Sequence, residues 1–484
     1  MNKIVKNLLS FLIVLCCFQF PSLAQTSTFQ YGVASGDATS HFVVLWTHVS
    51  NVFADSAMVL CQVANDIVLK DIILSKNLFA LKQKGYTAKI DIGPLKAESQ
   101  YFYRFIAQSD TSIVGVTYTL PEKLTTHFKI GFASCANYEA GYFNAYEALS
   151  AMPNLKALVH LGDYIYEYAS GEYAYNKKSK RHFEPKHELV SLNDYRTRYQ
   201  QYRKDSSLFK LHQKVPFYCI WDDHEFADDA HSEGAENHNI QTEGTWEDRS
   251  EAAKQAYFEW MPIRENEAGS IYRKLNIGKL VSLFFLDTRM DSRELGGQMM
   301  SKTQQNWYHN ALKQDSSIWK ITIQQVMMAP LSLFGIPMNP DQWDGFGKSR
   351  NELLNFIKNE NIQNYVVLSG DFHSSWASEL KLGNEILGRE IVCPGITSPA
   401  LNIPFVKHII PLANPHIKFT DLKNRGFVTL DITPVYISSN WHFLETVDRP
   451  SAKIKSVNTL FLPVNQLVFN SQLPIESTLV LGQE

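Results

Sequence analysis

Five short apolar runs, each stopping abruptly at residues that carry chemistry, constrain this chain more than any other feature. Phe128–Ala133 stops at Ser134-Cys135, and Lys156–His160 leads through Leu161-Gly162 to Asp163, with Tyr166 three residues on. Val215–Trp221 stops at Asp222-Asp223-His224-Glu225, Leu280–Leu286 at Asp287-Thr288-Arg289, and Tyr365–Ser369 at Gly370-Asp371-Phe372-His373. Runs of this length and composition are strand-like. Helical patterns lie among them: Phe143, Tyr146 and Leu149 share one face, and further patterns over 303–314 and 349–358 flank a strand at Trp319–Val326. Strand–helix–strand units predict parallel neighbours. Parallel strands deliver their carboxyl ends to one edge, which is where ligands gather in α/β sheets. A lone Gly-Asp is an ordinary turn, but the repetition points to one site.

The rest of the chain divides around that pattern. Residues 1–24 have a short basic start (Lys3, Lys6), an apolar stretch from Leu8 to Phe20 and a small-residue cleavage site at Ser22-Leu23-Ala24. These are the parts of a secretory signal, and the stretch is too short to span a bilayer comfortably. Residues 25–121 hold strand patterns and no convincing helix, the rhythm of a β-sandwich of immunoglobulin or fibronectin type, and nothing there carries chemistry. Residues 122–445 form the α/β part. Within it, 170–212 reads as an insertion with helical pieces near Asp194–Tyr202, and 227–250 as a polar surface loop in which His231 and His238 are solvated. Gly426–Ile432 and Val435–Trp441 read as a β-hairpin, and 446–484 shows no pattern that places it.

Charge and cysteine content narrow the partners. The formal net charge of −3 becomes −5 once Lys3 and Lys6 leave with the signal. A mildly acidic mature chain does not suit general binding to nucleic acid or to anionic membranes. Beyond the signal remain Cys61, Cys135, Cys219 and Cys393, too widely spaced for a disulfide framework. Cys135, at a strand end, is the candidate ligand. The other three read as small buried apolar residues.

Brought together, Cys135, Asp163, Tyr166, Asp223, His224, Arg289, Asp371 and His373 suit metals acting on phosphorus. Asp163 can bridge two cations through its two oxygens. Thiolate and phenolate donors favour a highly charged, redox-capable ion such as iron(III). Asp223 and Asp371 are hard oxygen donors suited to calcium, manganese or magnesium, and His373 completes the first ion's shell. Two such ions can hold a hydroxide and clamp a phosphorus centre for in-line displacement. His224 could protonate the leaving oxygen or bond the phosphoryl group, and the fork of Arg289 could neutralise phosphate oxygens. Each residue also has a plainer use. Asp287 caps a turn while Arg289 pairs with it, Asp222 orients its loop, His160 is a satisfied core histidine, and most of the Tyr164–Tyr175 run packs.

The ordered set of stretches resembles the metallophosphoesterase superfamily, and within it the alkaline phosphatase D (PhoD-like) family. The residues that carry the likeness are Gly32-Val-Ala-Ser-Gly-Asp37 with Val44-Leu-Trp46, Phe132-Ala-Ser-Cys135 and His160-Leu-Gly-Asp-Tyr-Ile-Tyr-Glu167. They continue with Trp221-Asp-Asp-His-Glu225, Leu286-Asp-Thr-Arg289, Gln325-Val-Met-Met328 and Ser369-Gly-Asp-Phe-His373. The resemblance implies a secreted phosphomonoesterase or phosphodiesterase, with an N-terminal sandwich before a four-layer αββα catalytic domain. It implies iron held by Cys135, Asp163, Tyr166 and His373, and one or two calcium ions held by Asp163, Asp223 and Asp371, with Zn2+, Mn2+ or Mg2+ as alternatives at the second site. It also implies that His224 faces the phosphate. Two features depart from the pattern: the signal lacks the paired arginines common in the family, and the family's C-terminal helix over the site has no match. The alternative function is a non-catalytic calcium-binding surface protein whose sandwich binds a partner. Cys135, Tyr166 and His224 argue against it, since a structural calcium site needs none of them. A zinc hydrolase of another family would need a close His pair or Cys-x-x-Cys, and the chain has neither.

Overall fold

The computed structural model describes residues 27–266, 269–294, 297–333, 336–400, 406–466 and 468–472; the signal expected over 1–24 lies outside them. Two sheets form the centre. The larger has nine strands in the order Ile454–Pro463, Tyr436–Leu444, Gly426–Ile432, Phe128–Ala133, Ala157–His160, Phe217–Cys219, Val33–Gly36, Val43–His48 and Thr87–Ile92. The second has seven, in the order Arg273–Ile277, Val281–Phe285, Trp319–Ile323, Tyr365–Ser369, Glu385–Val392, Ser375–Leu382 and Ile417–Asp421. All five strands expected to end in chemistry are present. Phe128–Ala133, Ala157–His160 and Phe217–Cys219 are parallel neighbours in the first sheet. Val281–Phe285, Trp319–Ile323 and Tyr365–Ser369 are parallel neighbours in the second.

Alternation along the strands builds the layers. Leu283, Phe285, Ile321, Ile323, Val366 and Leu368 of the second sheet share one apolar core with Ile130, Phe132, Val159, Phe217, Val428 and Leu430 of the first. The intervening Phe284, Tyr365 and Val367 face outward, onto Tyr308 and Leu312 of the helix Lys302–Lys313 and Leu353, Leu354 and Ile357 of Gly347–Asn359. On the far side, the helix Asn144–Ser150 covers the first sheet, where the Tyr146 hydroxyl lies 2.8 Å from His160 Nε2. Two indoles tie the sheets together: Trp319 Nε1 donates to Thr433 O at 2.8 Å and Trp441 Nε1 to Val392 O at 3.1 Å. The result is a helix–sheet–sheet–helix order of four layers.

Some elements go beyond the sequence reading. The stretch 446–484 contributes Ile454–Pro463, an edge strand paired antiparallel with Tyr436–Leu444. The polar segment 227–250 is not all loop, because the helix Trp246–Trp260 starts inside it, capped by Thr245 accepting from Asp248 N. Helix Ser206–Lys214 and strand Ile72–Leu81 are likewise additional.

The N-terminal strands form a sandwich with an unequal partnership. Ile72–Leu81, Ser56–Ala64, Gln100–Ala107, Asp110–Thr111 and Gly115–Tyr118 make a five-stranded sheet of their own. Its inner residues Val59, Cys61, Val63, Tyr103 and Phe105 share the core with Val33, Leu45 and Trp46. Those last residues belong to strands that extend the nine-stranded sheet, so the sandwich shares a sheet with the α/β part. The join is close. Gly36 is in parallel register with Phe217, and a Cβ there would stand 2.5 Å from Phe217 O and 2.2 Å from Pro262 O. Next to it, buried Asp37 accepts from Arg273 Nη2 at 2.7 Å and from Arg264 N at 2.8 Å. The 32–37 motif is thus a clamp between the two parts. Gly36→Ala is expected to destabilise the protein by about 1–3 kcal/mol through overpacking. Urea unfolding should show a lower midpoint, and an unchanged midpoint would mean the join is looser than described.

Candidate active site

The strand ends of both sheets meet at one edge. Turns there are tight: Gly162 has φ 101°, and a Cβ on it would lie 2.4 Å from Asp222 Cβ. Four of the proposed ligand residues adopt the left-handed conformation that non-glycine residues rarely take: Cys135 (φ 61°), Asp163 (φ 53°), Asp371 (φ 59°) and His373 (φ 52°). Such backbone persists only where the surroundings enforce it, and it clusters at functional sites. Here Glu225 does much of the enforcing. Its carboxyl accepts from Asp163 N at 2.9 Å, Tyr164 N at 2.5 Å and Asp222 N at 2.7 Å.

The sequence-predicted residues fall into touching groups. Ligand atoms of Cys135, Asp163 and His373 lie within 4.8 Å of one another, as do those of Asp163, Asp223 and His224, and those of Asp222, Asp223 and Asp371. Asp163 therefore belongs to two groups. The Tyr166 hydroxyl donates to Asp163 Oδ2 at 2.8 Å, sits 3.2 Å from His373 Nε2 and accepts from Ser398 Oγ at 2.6 Å. Burial, Asp163 and Cys135 push the Tyr166 phenol well above its ordinary pKa, and burial with Asp163 does the same to the Cys135 thiol. His224 Nδ1 lies 2.9 Å from Glu167 Oε2. Burial opposes charge on this imidazole, but Asp223, Asp163 and Glu167 prevail and hold its pKa well above the usual histidine value.

Arg289 pairs with carboxylates, though with others than the expected Asp287. It is fully buried, and its guanidinium is occupied on three sides: Nε by Asp222 Oδ1 at 2.5 Å, Nη1 by Asp341 Oδ2 at 2.8 Å and Nη2 by Asp371 Oδ1 at 2.7 Å. Three of its five N–H groups are thus taken by carboxylates, and these contacts balance charge within the cluster. Asp287 caps the turn, accepting from Arg289 N and Met290 N. Asp222 anchors its loop and Arg289, and His160 Nε2 meets the Tyr146 hydroxyl while its Nδ1 is buried without a hydrogen-bond partner among the described residues. Met327 and Met328 offer backbone N–H groups to Gln342 and Glu390, and no ligand. His238 pairs with Glu243 at 3.2 Å.

Several site residues escaped the sequence reading: Glu225, Glu167, Asp228, Asp229, Asp341, Arg293 and Gln342. Glu167 holds His224, Asp228 N and Asn237. Gln342 and Arg289 both bond Asp371. Asp223, Asp228 and Asp229 form a further acidic group.

The donor set fits cations. Carboxylates outnumber the two guanidiniums and His224 at this edge, and Asp163 Oδ1, Asp223 Oδ1 and Asp222 Oδ2 are buried without a hydrogen-bond partner among the described residues. Buried acceptors are rarely left unmatched. Burial also raises Asp371 to about 6 even with Arg289 opposing. Arg289→Leu is expected to cost about 3–5 kcal/mol in chelator-treated protein at pH 8, because it leaves buried carboxylates uncompensated. The loss should shrink at pH 5, where Asp371 is protonated and needs no partner. Denaturant melts at the two pH values check this, and an equal loss at both would contradict the charge-balance role.

The site and fold agree with known proteins. The PhoD-like phosphatase profile matches residues 130–441, and the profile of the PhoD-like phosphatase N-terminal domain matches 18–121. Alkaline phosphatase D of Bacillus subtilis (strain 168) is 33% identical over 469 residues, covering 88% of this chain and 79% of that protein. The solved structure of PhoD superposes with a TM-score of 0.85 at 30% identity, covering 94% of each chain. The chain belongs to the PhoD-like phosphatase family and is a phosphoric ester hydrolase.

Proposed function

We propose that this phosphatase is a secreted, metal-dependent enzyme that acts on phosphate mono- or diesters at the edge where the two sheets meet. The observation that carries the reading is the sharing of Asp163 between a Cys–His group and a carboxylate–His group. In it, Cys135, Asp163, Tyr166 and His373 would hold iron(III), and Asp163, Asp223 and Asp371 one or two calcium ions, with zinc, manganese or magnesium able to serve at the second position. When bound, the ions supply Lewis-acid polarisation of the phosphoryl group and a nucleophilic oxygen at neutral pH.

The chain's own residues do the remaining work. Glu225 fixes the backbone of Asp163 and Asp222, so the bridging carboxylate is held before substrate arrives. Glu167 takes His224 Nδ1, which leaves Nε2, 3.9 Å from Asp228 Oδ1, to face the substrate. Kept protonated by its carboxylate neighbours, His224 donates to a phosphoryl oxygen or to the leaving oxygen. Arg289 positions Asp222 and Asp371 rather than touching phosphate. The sandwich over 25–121 acts as scaffold to a catalytic unit over 122–445, with 446–463 closing the sheet edge.

Residues 1–24 serve as the export signal in this reading, and no helix among the described residues is long and apolar enough to cross a membrane. The calcium-only binding alternative leaves the Cys135–Tyr166–His373 cluster without a use.

Asp163→Asn and His373→Ala are expected to lower hydrolysis of a phosphate ester by about 10²–10³-fold or more, as loss of an electrostatic element of a site does. Far-UV circular dichroism should stay unchanged. Normal turnover in either variant would remove this site from consideration.

A further inference from the structure

Beyond the ligand cluster, a strap of chain brings aromatic rings to the site's mouth, and a guanidinium lies at the adjoining corner. The segment after Tyr166 turns back along the strand edge and is pinned there. Asn176 N donates to Glu139 O at 3.0 Å, and Arg181 Nη1 to Gly141 O at 3.0 Å, with its guanidinium 3.6 Å over the Tyr138 ring. Residues 139–141 directly follow the Cys135 turn, so the strap is anchored to the site's own edge. It presents Tyr173, half-buried, inward. The Tyr173 ring lies 6.1 Å from that of Tyr166 at 16°, 6.3 Å from that of His224 at 28° and 5.0 Å from that of Tyr168. His224 is itself 4.2 Å from Tyr166 and 5.3 Å from Tyr168. Three tyrosines therefore wall the imidazole. Tyr166 is committed through its hydroxyl to Asp163 and Ser398. The Tyr173 hydroxyl has no hydrogen bond recorded among the described residues.

The second feature is Arg425. It precedes the strand Gly426–Ile432, which runs antiparallel to Phe128–Ala133 with Val428 opposite Phe132. Gly426 N donates to Gly395 O, and Gly395 bridges to Ser134, so this corner packs directly on the site's turn. Arg425 Nη1 donates to Lys423 O at 3.0 Å, but buried Nε has no hydrogen-bond partner among the described residues. Burial lowers the Arg425 pKa, against the opposing pull of Tyr173 and Asp448. A buried guanidinium N–H without an acceptor is costly unless something fills the place.

We propose that Tyr173, backed by Tyr168, is the specificity-determining wall of the leaving-group subsite, and that Arg425 reads an acceptor oxygen or anionic substituent on that group. The favoured ester is then one whose leaving group is a planar ring carrying such a substituent. This rests on the reading above in one respect: of the two roles given to His224 it takes donation to the leaving oxygen, and Tyr173 lies beside that imidazole. A ring stacks on a tyrosine face with a gain beyond simple burial, while a guanidinium fork recognises a carboxylate. A small alkyl leaving group would reach neither.

The test uses the full chain and two readouts. In turnover, phenyl phosphate, 4-carboxyphenyl phosphate and glycerol 1-phosphate are compared in wild type, Tyr173→Ala, Tyr173→Phe and Arg425→Met. Tyr173→Ala should lower kcat/KM for both aryl esters about tenfold, mostly through KM, and leave glycerol 1-phosphate within about twofold. Tyr173→Phe should retain the aryl preference. Arg425→Met should erase the preference for 4-carboxyphenyl over phenyl phosphate. Equal losses on aryl and alkyl esters, or none on any, would overturn the proposal. In binding, calorimetry compares 4-carboxybenzylphosphonate with methylphosphonate, which needs no turnover. Tighter binding of the aryl phosphonate that Tyr173→Ala abolishes supports the wall, and equal affinity for the two in wild type overturns it. A wild type that binds the aryl phosphonate selectively yet hydrolyses no ester would sink the hydrolytic reading and keep the subsite.

Discussion

The structure depends on one arrangement: a set of carboxylates packed where two sheets meet, held together by Arg289. Coulomb repulsion among Asp222, Asp223, Asp341 and Asp371 would drive these turns apart in a low-dielectric interior. Arg289 bonds three of them and stands 3.7 Å from Asp223 Oδ1. A single guanidinium cannot balance that many acids, and the shortfall shows in Asp371, which burial lifts to about 6 despite its Arg partner. The described residues at this edge thus carry more carboxylates than cationic side chains to pair them. The same excess of negative charge that makes the cluster costly suits it to hold cations.

Around that cluster, the fold supplies rigidity. Strained left-handed turns at Cys135, Asp163, Asp371 and His373 place donor atoms toward one point. They are stabilised by the four-layer packing behind them and by Glu225, whose carboxyl ties the ends of two neighbouring strands. The shared sheet extends this rigidity into the N-terminal sandwich through Gly36 and the Asp37–Arg273 pair. The sandwich is thus better regarded as part of the scaffold than as an appended module.

Much of the site was legible in the sequence because strand-end chemistry leaves a local signature, an apolar run and then a polar residue after a turn. Cys135, Asp163, Tyr166, Asp223, His224, Asp371 and His373 all follow that rule, and all lie in the cluster. Asp341, Gln342 and Asp229 come from irregular loops, where no periodicity marks which of many polar residues turns inward. Glu225 and Glu167 stood within recognised stretches, but their roles are bonds to backbone N–H groups and to His224, which only three-dimensional contact reveals. Arg289 was found by position, but its carboxylate partners are spread from residue 222 to 371 and no local pattern marks them. The edge strand Ile454–Pro463 escaped because both of its faces are partly exposed up to residue 461, which removes the apolar alternation.

The most direct test of the account is the metal content of the purified mature protein, measured together with its visible absorption. Tyr166 and Cys135 are held protonated by burial and by neighbouring Asp163, so only a strongly polarising cation would ionise them. Phenolate or thiolate on iron(III) gives a visible charge-transfer band. The account predicts iron together with calcium, and a band that shifts or disappears in Tyr166→Phe. Zinc alone, or calcium without iron and without the band, would contradict the assignment of Cys135 and Tyr166 as ligands.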